Sequence, residues 1–167
     1  MATVTFKGNP INVLGDFVQP GMSAPNFTLI KGDLNELHLV DNKGKFLLLN
    51  IFPSLDTSVC AKSVRKFNKL AAKMSNTIVL AISKDLPFAQ GRFCTTEGIE
   101  NVIPVSDYRY TSDFGTQYGV LMENGPLAGL LARSVVVINP EGQVIYSELV
   151  SEIVQEPNYE AALNAIK

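Results

Sequence analysis

A three-layer α/β sandwich, with helices on both faces of a mixed sheet, is the fold class the sequence predicts, and three patterns carry it. Two runs, 46–52 and 77–83, are almost continuously apolar, which suits central strands covered on both sides. Between them Cys60, Ala61, Val64, Phe67, Leu70, Ala71 and Met74 recur at steps of three and four, the stripe of one amphipathic helix. Later, 134–138 and 143–147 flank the turn sequence Asn139-Pro140-Glu141-Gly142, an antiparallel hairpin. Strand, helix, strand gives a parallel unit with a right-handed crossover, and the hairpin makes the sheet mixed.

The remaining elements follow in chain order. Thr3 to Phe6 alternates, breaks at Gly8-Asn9-Pro10 and resumes from Ile11 to Val13, so residues 1–14 form a small added hairpin. Residues 15–26 hold Gly15, Pro20, Gly21 and Pro25 and read as a connector. Short strands are expected at 27–30 and 36–39. Lys62, Arg65, Lys66, Lys69 and Lys73 fall off the apolar stripe of the central helix and read as its solvated face. Pro87 suits the first turn of a second helix. A strand at 101–105 and a short helix at 112–118 come next. Pro157 opens a last helix striped by Tyr159, Ala162 and Ile166. The whole, 1–167, is one domain of thioredoxin-like architecture carrying an N-terminal β-hairpin.

Composition narrows the function. The 167 residues suit one domain, and 46 % hydrophobic against 18 % charged residues supports a sizeable core. Fourteen Lys and Arg against 16 acidic residues leave a net charge of -2, unlike the dense basic face of a nucleic-acid binder. No apolar run approaches the roughly 18 residues of a membrane span. A basic start followed by an apolar block is missing too, so a cytoplasmic protein is expected. Two cysteines and one histidine do not make a zinc site. His38 has no matching ligand cluster, and no P-loop or G-x-G-x-x-G is present, so neither metal nor cofactor is expected.

Chemistry concentrates at Cys60. It lies just after Asp56-Thr57-Ser58, all favourable helix caps, and so falls in a first helical turn. Free backbone N–H groups and the helix dipole stabilise a thiolate there. Position alone leaves a second reading open, a small buried hydrophobe on the apolar stripe.

Pro53, Thr57 and Cys60 spell P-x-x-x-T-x-x-C between an apolar strand and a helix. This resembles the active-site signature of the peroxiredoxins, and 50–60 resembles the bacterial thiol peroxidase branch with its atypical two-cysteine mechanism. Further matching segments are Ala24-Pro25-x-Phe27, 85–90, Arg92-Phe93-Cys94 and Gly125-Pro126-Leu127, so the resemblance runs along nearly the whole chain.

The resemblance implies a thiol-dependent peroxidase that needs no cofactor. Cys60 would be the peroxidatic nucleophile, Thr57 would hydrogen-bond thiolate and peroxide, and Pro53 would shield the pocket. Arg133 would donate to sulfur and oxygen together, as a planar guanidinium can. Cys94 matches the resolving cysteine on the next helix of the same chain. Residues 161–167 offer no counterpart to the resolving cysteine of the typical two-cysteine branch. Hydrogen peroxide and organic hydroperoxides are the implied substrates, and Phe52, Phe88, Phe93 and Leu127 are the expected lining for an apolar one. Thioredoxin is the implied reductant. A homodimer is expected, with contacts near Pro53, Phe88 and 124–127.

Plain alternatives stand beside each role: a helix cap for Thr57, a surface charge for Arg133, an inert cysteine for Cys94. A C-x-x-C disulfide oxidoreductase is disfavoured because position 57 is threonine. A non-enzymatic redox sensor using the same cysteine pair stays open. Because Cys60 and Cys94 stand on separate helices, the reduced form is expected to keep their sulfurs apart, and a disulfide to require local unwinding.

Overall fold

The computed structural model describes residues 2–166. Ten strands and four α-helices follow in order: β1 Ala2–Phe6, β2 Asn9–Leu14, β3 Thr28–Lys31, β4 Glu36–His38, β5 Phe46–Ile51, α1 Ser58–Ala71, β6 Thr77–Ser83, α2 Pro87–Glu97, β7 Ile103–Ser106, α3 Phe114–Tyr118, β8 Leu121–Met122, β9 Ser134–Ile138, β10 Val144–Leu149 and α4 Tyr159–Ala165. Seven strands form one sheet in the order β10-β9-β5-β6-β7-β3-β4. The pairs β5–β6 and β6–β7 are parallel and all others antiparallel, so the sheet is mixed as expected.

The period of two sorts its side chains into two cores. Leu48, Phe52, Val79, Ala81, Val135 and Val137 face α1, α4 and the inner side of α2. Leu47, Leu49, Ile51, Leu80, Ile82, Val136 and Ile138 face α3 and the chain entering the sheet. Burying a side chain such as Phe67 on α1 contributes about 1.5–3 kcal/mol relative to leaving it in water. Asn50, the polar residue within β5, is buried and donates to Ser63 Oγ on α1 at 3.2 Å.

The connector 15–26 lies tight against α3. A Cβ on Gly15 would fall 2.1 Å from the Thr116 carbonyl oxygen, and one on Gly119 would fall 2.2 Å from Asp16. Both glycines also have positive φ, so neither tolerates a side chain.

Several boundaries depart from expectation for local reasons. The first hairpin turns at Lys7-Gly8, with φ of 51° and 84°, so β2 begins at Asn9 and includes Pro10. Proline is tolerated there because β8 pairs only with Val13 and Leu14, which leaves that end of β2 an edge. β7 starts at Ile103 because the Asn101 amide donates to Asn68 Oδ1 at 2.8 Å instead of entering the sheet. Ser112 accepts from the Phe114 amide ahead of α3, which starts at Phe114. α4 starts after Pro157, because Asn158 caps it by accepting from the Ala161 amide at 3.1 Å. The two-residue β8 was not expected. It joins β1 and β2 in a second small sheet, packed through Val4, Ile11, Val13, Met122, Ala132 and Ile153.

Candidate active site

Phe52 continues the β5 register by donating its amide to the Ile82 carbonyl at 3.1 Å. The chain then turns sharply over 53–57. Thr57 closes that turn, donating both its amide (3.2 Å) and its hydroxyl (3.1 Å) to the Ser54 carbonyl. Its hydroxyl oxygen in turn accepts from the Cys60 amide at 3.3 Å. Thr57 is therefore the N-cap of α1 and satisfies one of the orphan donors of the first turn. Cys60 is the third helical residue, inside that turn, as its position predicts.

Its sulfur is fully buried, yet not in purely apolar surroundings. Arg133, in the residue just before β9, donates from Nη2 to Cys60 Sγ at 3.1 Å. Arg133 is itself only 1 % exposed, so the surface-charge reading fails. Its Nε donates to the Ile153 carbonyl at 2.8 Å, which fixes the plane of the guanidinium. Nη1 is buried and has no partner among the described residues. A buried cationic donor left over beside a sulfur is costly unless something polar occupies the space next to it.

That space exists. A cavity of about 290 Å³ is walled by Pro53, Thr57 and Arg133 together with Phe6, Leu127 and Ile153. Of the four residues expected to line it, Leu127 alone does so. Phe52 lies in the core beneath, Phe93 packs against the sheet, and Phe88 is 68 % exposed on the outside of α2. Sequence order gave no hint that the wall comes instead from the N-terminal hairpin and the turn after β10. Cys60, fully buried, does not itself line this cavity and borders it through Arg133, whereas a larger cavity, about 360 Å³, lies beside Glu36, Arg109 and Asp113, none of which contacts Cys60.

The turn carrying Ile153 is held by Glu152. Its carboxylate accepts from the Gly8 amide at 2.8 Å, the Val154 amide at 3.1 Å, the Lys7 amide at 3.2 Å and the Thr5 hydroxyl at 3.1 Å. These bonds, led by Gly8, hold the carboxyl below the usual carboxylate range. Ile153 also donates its amide to the Thr5 carbonyl at 2.8 Å. The N-terminal hairpin thus fixes the carbonyl that orients Arg133.

Cys94 stands on α2, half-buried against the same core that holds Cys60, and both thiols are free. Burial pushes the Cys94 thiol up from its ordinary value. Its carbonyl receives the Gly98 and Ile99 amides and closes the helix, with Gly98 left-handed at φ 66°. His38 donates or accepts at Thr28 Oγ1 over 2.8 Å near the surface, and no metal-binding cluster occurs among the described residues. The basic face of α1 is solvated as expected, with Lys62 paired to Glu156 at 3.2 Å and Arg65 to Glu97.

The Redoxin family model matches residues 19–163. The thiol peroxidase of Mycobacterium tuberculosis H37Rv is 56 % identical over 166 residues, covering 99 % of each chain. That of Corynebacterium glutamicum is 54 % identical over the same span. Among solved structures, a peroxiredoxin-like protein from Aquifex aeolicus superposes with a TM-score of 0.94 at 42 % identity, covering 99 % of this chain and 96 % of that one. A thiol peroxidase from Chromobacterium violaceum, at 22 % identity and a TM-score of 0.90, shares the fold over 98 % of this chain and 95 % of its own.

Proposed function

The chain belongs to the Redoxin family, and from that premise we propose a thiol-dependent peroxidase in which Cys60 reduces hydroperoxides and Cys94 resolves the product. Membership makes it an enzyme of the peroxiredoxin type. The observation that carries the assignment of residues is the 3.1 Å contact from Arg133 Nη2 to Cys60 Sγ, beside an unpartnered Nη1.

In the first step the Cys60 thiolate attacks the distal oxygen of the peroxide. An S–O bond forms and the O–O bond breaks, so sulfur is oxidised by two electrons to a sulfenic acid. The leaving oxygen departs as hydroxide or alkoxide and takes up, through solvent, the proton that the Cys60 thiol released on ionising, giving water from hydrogen peroxide or an alcohol from an organic hydroperoxide. Nη1 of Arg133 is the donor in place to receive the developing negative charge, while Nη2 holds the sulfur. Thr57 completes the polar side of the pocket and Pro53 excludes water from it. The apolar walls at Phe6, Leu127 and Ile153 favour an organic hydroperoxide by covering its hydrocarbon part.

In the second step the Cys94 thiol attacks the sulfenic sulfur. An S–S bond forms, the S–O bond breaks, and the hydroxide leaves as water with the Cys94 proton. Thioredoxin, a dithiol reductant, then returns two electrons and restores both thiols. On family grounds the protein works in the cytoplasm as a homodimer, and exposed Leu86 and Phe88 supply an apolar surface near the expected contact.

The test is peroxide consumption coupled to thioredoxin, thioredoxin reductase and NADPH. Sustained turnover that disappears in Cys60→Ser supports the assignment. One equivalent consumed and then nothing marks a redox switch, and turnover by Cys60→Ser removes Cys60 from the chemistry.

A further inference from the structure

A carboxylate that lines no part of the pocket ties the two cysteine-bearing segments together. Asp85 lies in the short connection between β6 and α2. Its Oδ1 accepts from the Ser54 hydroxyl at 2.7 Å, and its Oδ2 from the Leu55 amide at 2.8 Å and the Ser83 hydroxyl at 2.7 Å. Its backbone carbonyl accepts from the Ser106 hydroxyl. Three short hydrogen bonds to one side chain and a fourth to its backbone make this a firm attachment.

The attachment continues in both directions. Ser54 is the residue whose carbonyl receives Thr57, and Thr57 receives the Cys60 amide. On the other side, Ser83 gives its single hydroxyl proton to Asp85 and accepts from Gln90 Nε2 at 3.1 Å. Gln90 is fully buried and also donates to the Val105 carbonyl at 3.0 Å. It stands one turn before Cys94 on the same face of α2. One unbroken chain of hydrogen bonds therefore runs from the cap of the Cys60 helix, through Asp85, to the anchor of the Cys94 helix.

We propose that Asp85 is a positioning residue that latches the Cys60 turn to the Cys94 helix in the reduced protein, and that releasing it lets the two sulfurs meet. The proposal rests on the roles given to Cys60 and Cys94 above. Holding Thr57 and Cys60 still favours attack on peroxide. The same hold opposes disulfide closure, which needs either helix end to unwind. Cutting the latch therefore moves the two steps in opposite directions.

Asp85→Asn keeps the size but loses the charge and one acceptor oxygen. Ser54→Ala and Ser83→Ala cut the chain on either side of it. Rapid quenching, alkylation and peptide mass analysis give two rates for each reduced protein: Cys60 oxidation by peroxide, and Cys60–Cys94 closure. For Asp85→Asn, oxidation falls about tenfold and closure rises about tenfold, and the serine variants move the same way by less. Over-oxidation of Cys60 to the sulfinic acid at high peroxide falls as well, because closure outruns the second peroxide. A merely structural role moves both rates down together. That result, or unchanged rates in all three variants, overturns the latch; if Asp85→Asn does not fold, the serine variants decide. Wild type separates the two levels of inference. No Cys60–Cys94 closure there overturns the resolving role and the latch with it, whereas normal closure unaffected by the variants overturns the latch alone.

Discussion

The Ile153 carbonyl takes the Nε–H of Arg133 at 2.8 Å, and this bond turns the guanidinium so that Nη2 meets Cys60 Sγ while Nη1 stays unpaired. A single planar group thus aims donors in three directions, two engaged and the third left open. Lysine has one ammonium on a flexible stem and cannot reproduce that fork. Arg133→Ala is expected to slow Cys60 oxidation by on the order of 10²–10³, and Arg133→Lys to recover little of it. Competition kinetics against a reference peroxidase measures both; a lysine variant at the wild-type rate would show that charge alone suffices.

Cys60→Ser and Cys94→Ser separate the two thiols. The first variant loses peroxide reduction, since a serine hydroxyl is hardly ionised at neutral pH. The second keeps the first oxidation at its normal rate, accumulates a sulfenic acid that a dimedone probe traps, and stalls with thioredoxin. Equal steady-state turnover for wild type and Cys94→Ser excludes the resolving role.

Thr57→Val removes the helix cap while keeping the shape. Loss of such a cap costs about 1 kcal/mol, a fall in Tm of roughly 2–4 °C for a chain of this size. Thr57→Ser retains the capping hydroxyl and should keep both Tm and oxidation rate near wild type. If Thr57 were only a cap, oxidation would slow no more than this stability loss explains; a rate deficit that persists well below Tm assigns it to the pocket.

Burial raises the Cys94 thiol in the folded protein above the ordinary value of 9.0 that it regains on unfolding. The folded chain therefore binds the proton more tightly. Its contribution to stability is present below about pH 9 and is lost as pH rises toward the folded value. Urea midpoints of the reduced protein between about pH 8 and pH 10 should fall, and Cys94→Ala should flatten the fall. Burial also raises the phenols of Tyr146, Tyr118 and Tyr159, whose losses set in toward their ordinary value of 10.0, so the comparison with Cys94→Ala, which shares those tyrosines, isolates the thiol. An identical slope in both proteins would place Cys94 in water.

Glu152 acts with the opposite sign. Its folded carboxyl lies below the ordinary value, so its contribution is present above the unfolded value and lost as pH falls through the folded one. Glu152→Gln should lower the acid sensitivity of the fold and, by loosening the turn that carries Ile153, slow Cys60 oxidation severalfold. Unchanged oxidation by this variant would mean that Ile153 is held by the Thr5 backbone alone.

The parts of this molecule that follow from local pattern were legible in its sequence. The buried runs of β5 and β6, the stripe of α1 and the turn after Ile138 need only neighbours along the chain. Cys60 and Thr57 belong to that class because both are set by one helix start. Arg133 was legible through motif resemblance alone; nothing around it in sequence says that it is buried. Ile153, Glu152 and Asp85 were not legible as contributors. Ile153 contributes a carbonyl, which every residue has, and the two carboxylates act across separations of 144 and 31 positions to Gly8 and Ser54. The aromatic lining failed for a related reason: periodicity places Phe93 on an inner face, but not on the face that meets the cavity.

A sulfur with no exposed surface also decides which reagents can read it. Peroxide presents two slender oxygen atoms, whereas a maleimide ring or a glutathione disulfide needs room around the sulfur on several sides. In the native reduced protein such bulky probes therefore report the half-buried Cys94 first. A labelling survey that ranks cysteines by capture would then report accessibility and not reactivity toward peroxide. With Cys60 as the proposed peroxidatic thiol, steric admission and chemical reactivity would run in opposite order, and bulky disulfides would be kept from the thiol that meets peroxide.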